Sequence, residues 1–304
     1  MRHRVEIVGG GPAGIAAAIW ARRLDWEPAI YERGSSLGGQ LNQVSLPITD
    51  LPGFPGIRAH ELCQQLSIQL DKLHVPIFYG QEAMGYDRGY LHFAEGRCIA
   101  SSAVVLAPGV RARRLAVPGA DLVEDVSVSD LLAAKEPGPT AVIGGGDRAV
   151  EAACRLAERG IATLVIHRGH RLGAIPALQQ RLAASGAEVL TESRVAAVEP
   201  WAGGWRIHVD CGRRRVVHSV HQVVVRIGMI PDLSARWQAS LNTEADHVYL
   251  IGDAAQSAAY RSLVTAFADG MVAVKTLVSK PICRHKPIQD CSGMVEPGSN
   301  PTLR

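Results

Sequence analysis

One stretch of this chain occurs twice, and the repeat limits what the chain can fold into. Residues 5–34 read VEIVGGGPAGIAAAIWARRLDWEPAIYERG, and residues 140–169 read TAVIGGGDRAVEAACRLAERGIATLVIHRG, aligned without a gap at an offset of 135. Each copy opens on a short apolar run that fits a buried strand, turns on a cluster of glycines, and continues at helical spacing. A second apolar run then closes it. Gly9, Gly11 and Gly14 in the first copy match Gly144, Gly146 and Ala149 in the second. Glycines at this spacing allow a tight turn, close approach of the backbone to a pyrophosphate, and close packing of helix on strand. The last of these needs only a small side chain, so alanine serves. The helix N-terminus then faces the phosphates. Two such units in one chain imply two α/β domains, each holding its own nucleotide.

The copies differ where the chemistry of the two nucleotides differs. Glu32 ends the second strand of the first copy and can accept hydrogen bonds from both hydroxyls of an adenosine ribose. His167 takes that place in the second, followed by Arg168, His170 and Arg171. A carboxylate there would repel a 2′-phosphate, whereas an arginine can pair with it through two hydrogen bonds. The first site therefore suits a plain adenosine ribose and the second suits NADP. The alternative reading of HRGHR is a solvated basic loop.

The rest of the chain reads as connections and smaller elements. Residues 34–42 carry further glycines where a second backbone approach to a cofactor would be useful, and residues 46–56 are a Pro- and Gly-rich loop. A helix is expected over 58–73, with Leu62, Leu66, Ile68 and Leu70 as its apolar positions. Short alternating runs over 75–99 read as an antiparallel meander, and 103–109 as a strand ending in a glycine turn. Strands are expected over 189–198, 205–209, 220–227 and 248–251, and a long helix over 262–278. The net charge of +3 is too small and dispersed to argue for nucleic acid. Met1-Arg2-His3-Arg4 leads straight into the first strand, so no signal peptide is expected, nor a membrane span; a cytoplasmic location follows by default, with reduced thiols.

Taken in order, these residues resemble the low-molecular-weight thioredoxin reductase family of flavoproteins over roughly residues 4–280. The likeness rests on GGGPAG with Glu32, on GGQL at 38–41, PGFP at 52–55 and LAPG at 106–109. It continues in GGGDRAVEAA at 144–153, IHR at 166–168, IGMIPD at 227–232, LIGDA at 250–254 and TAFADG at 265–270. The fold it implies is α/β, with two Rossmann-like, three-layer nucleotide-binding domains and the NADPH domain inserted into a discontinuous FAD domain. Residues 1–115 and 245–280 would form the FAD-binding domain, 116–244 the NAD(P)H-binding domain, and 281–304 a C-terminal tail.

The resemblance implies FAD in the first unit, held by Gly9, Gly11, Pro12, Ala13 and Gly14, by Glu32 and Arg33, and by Gly39, Gln40 and Leu41. Ala107, Gly109 and Gly252 would border it, and Asp253 would bond the ribityl chain. The backbone of Arg261, Ser262 and Leu263 would face the flavin ring. NADPH would lie against Gly144, Gly146, Asp147, Arg148 and Ala149, with His167, Arg168 and Arg171 at its 2′-phosphate. A homodimer is also implied.

The chain departs from the family in ways that bear on the reaction. A thioredoxin reductase carries a CxxC just before its second glycine motif, yet residues 118–144 contain no cysteine and the whole chain contains no CxxC. A dithiol relay of that type is excluded. Ala13 stands where the bacillithiol-disulfide reductases have a cysteine, and no flavin monooxygenase motif appears. Cys154 reads as a helix core residue; Cys63, Cys98 and Cys211 stand alone. In the tail, Cys283 and Cys291 could pair or, with His285, bind a metal, although three ligands in an aperiodic tail make a poor site. Where the family has further arginines in its NADPH pattern, this chain has Gly169 and Gly173, leaving Arg171 to compensate. The segment between Pro231 and Val248 is shorter than the family's.

Three functions remain open on the sequence. The first passes electrons from NADPH through FAD to an external carrier such as ferredoxin or flavodoxin, as in the ferredoxin–NADP reductases built on this scaffold; Arg111, Arg113 and Arg114 would offer an acidic carrier a basic rim. The second is a flavoprotein acting on a small molecule or a partner's thiol with weak or no use of NADPH. The third is a non-catalytic flavin-binding subunit.

Overall fold

The structure, a computed structural model, describes residues 3–44, 47–124, 126–135, 137–243 and 247–279. In chain order it begins with β1 (Arg4–Val8), α1 (Pro12–Arg23), β2 (Glu27–Glu32), α2 (Ala59–Lys72) and β3 (Ile77–Tyr79). Then come β4 (Ala83–Asp87), β5 (Tyr90–Phe93), β6 (Cys98–Ala100), β7 (Val104–Leu106) and β8 (Val110–Ala112). The inserted segment follows with α3 (Val128–Ala133), β9 (Thr140–Ile143), α4 (Asp147–Ala157), β10 (Thr163–Ile166), α5 (Pro176–Ser185) and β11 (Glu188–Leu190). It continues through β12 (Ser193–Trp201), β13 (Gly204–Cys211), β14 (Arg214–Val220), β15 (Gln222–Val225) and β16 (Met229–Pro231). The chain closes with α6 (Ala235–Thr243), β17 (Val248–Leu250) and α7 (Leu263–Ser279).

Two compact units result: Met1–Arg111 with Pro231–Arg304, and Ala112–Ile230. In the first, the parallel strands run in the order β17-β7-β1-β2-β3. One face of this sheet is covered by helices: Val5, Ile7 and Ile30 pack with Ala17, Leu62 and Val274. The other face meets the antiparallel β4-β5-β6, through Ala29, Tyr31, Leu91 and Phe93. Three layers follow from strands that are apolar on both sides. Helices α1 and α7 approach closely because Gly270 has no side chain; a Cβ there would lie 2.7 Å from the Ala17 nitrogen.

The second unit repeats the plan with parallel order β11-β10-β9-β15. Val142 and Val165 face α4 and α5, while Ala141, Ile143 and Ile166 face β12-β13-β14. The repeat read in the sequence is also a repeat of register: Val5 pairs with Pro28 and Val8 with Tyr31, as Thr140 pairs with Thr163 and Ile143 with Ile166.

Several expectations change. The chain returns to the first unit at 230/231, not 244/245, because α6 packs there: Trp237 is buried beside Tyr86, and its Nε1–H donates to the Ala83 carbonyl at 3.0 Å. The outward crossing lies at 111/112, not 115/116. The first run of the expected meander is β3, which joins the parallel sheet beside β2. On α2, Leu62, Leu66 and Leu70 are buried on a four-residue spacing, but Ile68 falls on the opposite side and is 46% exposed. Helices α5 and α6 and strand β14 were not expected at all. Cys154 is buried in the helix-side core, as read. The tail with Cys283, His285 and Cys291 lies outside the described residues.

Candidate functional site

In the first unit the turn after β1 opens directly into a cavity of about 770 Å³. Gly9 adopts φ +100° there, and a Cβ at that position would collide with the Ala107 carbonyl. Gly11, the N-cap of α1, has only Gly39 Cα opposite it, 4.0 Å from where a Cβ would stand. Two glycine turns thus face each other with backbone, not side chains, presented to the space between. The α1 N-terminus adds unpaired N–H groups and the positive end of its dipole.

The residues expected to hold FAD converge on this cavity. Gly9, Gly11, Pro12, Ala13, Glu32, Arg33, Gly39, Gln40, Leu41, Ala107, Gly109, Gly252, Asp253, Arg261, Ser262 and Leu263 all line it. Gly14 does not; it lies behind the turn, where a Cβ would overlap the Gly9 carbonyl oxygen and come 3.3 Å from Ile7 Cγ2. Glu32 is fixed by two backbone donors, with Gly10 N–H on Oε2 and Gly34 N–H on Oε1, each at 2.7 Å. An ionised carboxylate has about four acceptor sites, so lone pairs remain for ribose hydroxyls. Gln40 donates to the Val110 carbonyl at 2.9 Å.

The opposite end is built by the segment around Asp253. Asp269 accepts the Gly252 N–H at 3.1 Å and the Gln256 amide at 3.0 Å, while Arg261 Nε donates to the Asp253 carbonyl at 3.0 Å. Burial, reinforced by nearby Asp269 and opposed by Arg261, pushes the Asp253 carboxyl above its usual range. Ser262 caps α7, its Oγ accepting from Thr265 N–H at 3.1 Å, so that helix starts at the cavity wall.

Sequence reasoning missed some of the lining. Asp232 and Trp237 come from the returning segment and line the cavity. Asp232 accepts Arg33 Nη2 at 2.6 Å and lies 3.6 Å from Arg111 Nε. Two arginines expected to serve a cofactor and a protein carrier are thus drawn to one carboxylate. The signal was present, since Asp232 ends the IGMIPD stretch. Gln81 to Met84, read as part of the meander, also line it.

In the second unit, Gly144, Gly146 and Ala149 form the matching turn before α4, with Gly146 as N-cap. Ala149 is buried against Gly144. His167 sits over Gly145, and its Nε2 is 2.9 Å from the Arg171 carbonyl oxygen. Asp147 Oδ1 accepts the Ile175 N–H at 2.8 Å, and Arg148 Nη1 donates to Met229 Sδ at 2.9 Å. Arg168 and Arg171 are exposed, with no side-chain hydrogen bond or ion pair among the described residues.

The profile of the pyridine nucleotide-disulphide oxidoreductases matches residues 3–270. The chain belongs to this family. Among individual relatives, a thioredoxin reductase of Debaryomyces hansenii is 31% identical over 60% of this chain and 62% of its own length. A ferredoxin–NADP reductase of Ligilactobacillus salivarius is 27% identical over 62% of this chain and 59% of its own. The chain therefore spans less than two thirds of the length of either protein. Thioredoxin reductase of Lactococcus lactis, in its FR conformation, has the same fold, with a TM-score of 0.77 at 24% identity over 91% of this chain and 98% of that one. As a pyridine nucleotide-disulphide oxidoreductase, the family member described here combines two α/β units of the Rossmann-like kind. Among the described residues, no helix is long and apolar enough to cross a membrane.

Proposed function

We propose that the protein is an FAD-dependent oxidoreductase that takes electrons from NADPH and delivers them to an external carrier such as ferredoxin or flavodoxin, without a protein disulfide. The observation that carries this reading is the difference between the two copies of one βαβ unit: Glu32 at the first, and His167 with free-standing Arg168 and Arg171 at the second. The first cavity fits FAD. Its glycine turns leave room for a diphosphate, Glu32 retains acceptor capacity for ribose hydroxyls, and the N-terminus of α7 meets the far end.

In this reading the α1 N-terminus and the backbone of Gly11 to Ala13 hold the diphosphate. Asp253 orients the ribityl chain. The N-terminus of α7 stabilises negative charge on the ring through its dipole. Arg168 and Arg171 select the 2′-phosphate of NADPH. Bound FAD supplies the exchange between a two-electron hydride donor and single-electron acceptors. The absence of any CxxC removes the alternative exit through a dithiol. A homodimer in the cytoplasm completes the proposal.

Anaerobic mixing of the purified yellow protein with NADPH in a stopped-flow spectrometer tests it. Rapid bleaching of the flavin band, followed by cytochrome c reduction that requires added ferredoxin, is the expected outcome. No bleaching by NADPH or NADH sinks the reading. Bleaching with no response to ferredoxin moves the acceptor to a small molecule or a thiol.

A further inference from the structure

The two nucleotide turns agree bond for bond along the main chain. Gly9 N–H donates to the Tyr31 carbonyl at 2.9 Å and Gly144 N–H to that of Ile166 at 3.0 Å. Gly38 N–H reaches the Gly10 carbonyl at 2.9 Å, and Gly173 N–H that of Gly145 at 2.8 Å. The side-chain bonds differ: Glu32 holds the Gly10 and Gly34 N–H groups in the first turn, and the second turn has a bond of its own. Pro12 opens α1 with no side-chain acceptor, whereas Asp147 opens α4 and accepts the Ile175 N–H.

A carboxylate at that point is unexpected on electrostatic grounds. It favours the helix by itself, but it opposes any diphosphate that approaches the same N-terminus. The bond it makes suggests what offsets that repulsion. Between His167 and Ile175 runs the loop that carries Arg168 and Arg171. Its other fastenings among the described residues include Glu192 N–H on the Gly169 carbonyl at 2.9 Å, the approach of His170 Nδ1 to Glu192 Oε2 at 3.5 Å, the Gly173 bond, the contact of His167 Nε2 with the Arg171 carbonyl, and Gln179 Nε2, which donates to the Ala174 carbonyl at 2.6 Å. Asp147 adds a side-chain hydrogen bond from the helix that would face the phosphates to the end of this loop, beside the packing of Leu172 and Ala174 against the α4 core.

We propose that Asp147 is a positioning residue: by holding Ile175 it fixes the 168–175 loop so that Arg168 and Arg171 present their guanidinium groups together, and it thereby sets the preference for 2′-phosphorylated adenine nucleotides. The inference rests on the assignment of NADP to the second unit. On this reading Asp147, expected from the sequence to lie against NADPH, acts through the loop.

Titration calorimetry on the FAD-loaded protein with 2′,5′-ADP and with 5′-AMP reads the preference without turnover. Wild type should bind 2′,5′-ADP more tightly by about tenfold or more, given two guanidinium groups for one phosphate. Asp147→Ala should lower that ratio by about fivefold or more, while 5′-AMP binds as well or better because a repelling charge is gone. Asp147→Asn keeps an acceptor oxygen and loses the charge, so it should keep the ratio and tighten both ligands. The proposal is overturned if Asp147→Ala retains the wild-type ratio, or if Asp147→Asn loses it equally. A wild type that binds both ligands alike refutes the NADP assignment itself and this inference with it.

Discussion

Glu6 offers a test of the electrostatics of the first unit. It lies inside β1 with its side chain completely buried, on the face that meets the meander. Arg4 Nε is 2.7 Å from Oε1, and Tyr31 and Arg97 also favour the charged form, although neither carboxylate oxygen has a hydrogen bond of good geometry. Burial outweighs these partners, and the Glu6 pKa rises from 4.5 to about 6. At about 1.4 kcal/mol per pH unit, that difference is about 2 kcal/mol. The folded state holds the proton more tightly than the unfolded state. The stabilisation is therefore complete below pH 4.5 and is lost as the pH rises through about 6. Glu6→Gln keeps the length of the side chain and cannot ionise. Near pH 4.5 it should melt close to wild type. By pH 7 it should be more stable by up to about 2 kcal/mol, which is roughly 4–8 °C in Tm for a unit of this size. The lost ion pair subtracts little, because Arg4 is 42% exposed. Thermal melts of the FAD-loaded proteins at several pH values between 4.5 and 7.5 measure the gap. A gap that does not change with pH, or that favours wild type as pH rises, refutes the reasoning.

Two further substitutions follow from packing. Gly14→Ala should cost about 1–3 kcal/mol and loosen FAD, since its Cβ meets the backbone of Gly9; the reciprocal Ala149→Gly should cost about 1 kcal/mol from helix propensity and leave the flavin in place. Flavin retained on gel filtration and melting temperature report both, and a Gly14→Ala protein that behaves as wild type would show the turn to be looser than drawn. Trp237→Phe should cost about 1–3 kcal/mol by leaving the buried Ala83 carbonyl unpaired, read in the same melts, with no loss if water replaces the indole.

What could be read from the sequence was what local pattern determines. Both βαβ units, their register and the cavity's glycine turns follow from apolar runs and glycine spacing, which act over a few residues. The errors share a different origin. β3 alternates like the meander strands after it, and only a distant partner, β2, makes it parallel. Helix α6 has a polar sequence anchored by Trp237, set into a core formed elsewhere, and by Ser240, which accepts the Tyr86 N–H at 2.9 Å. In α5 only Leu182 is buried, so no periodic stripe marks it. Glu6 was passed over within an apolar run, because nothing local reveals that Arg4 and Tyr31 converge on it. Asp232 was read as part of a motif, but its pairing with Arg33 spans most of the chain.

The repeat also separates scaffold from function. The bonds that shape both turns run from main-chain N–H to main-chain carbonyl, so they survive almost any change of side chain apart from the glycines that permit them. Divergence is therefore cheap at the positions whose side chains face outward from that framework. Several residues differ in kind between the copies, among them Glu6, buried within β1, against Ala141, Pro12 against Asp147, and Glu32 against His167. The last pair shows how much one position can change. Glu32 draws the N–H groups of Gly10 and Gly34 together around a carboxylate, whereas His167 stands over Gly145 and turns its far nitrogen to the Arg171 carbonyl. One framework thus carries a carboxylate in one unit and a cationic loop in the other, which is what a chain must supply if electrons are to enter on one nucleotide and leave through another.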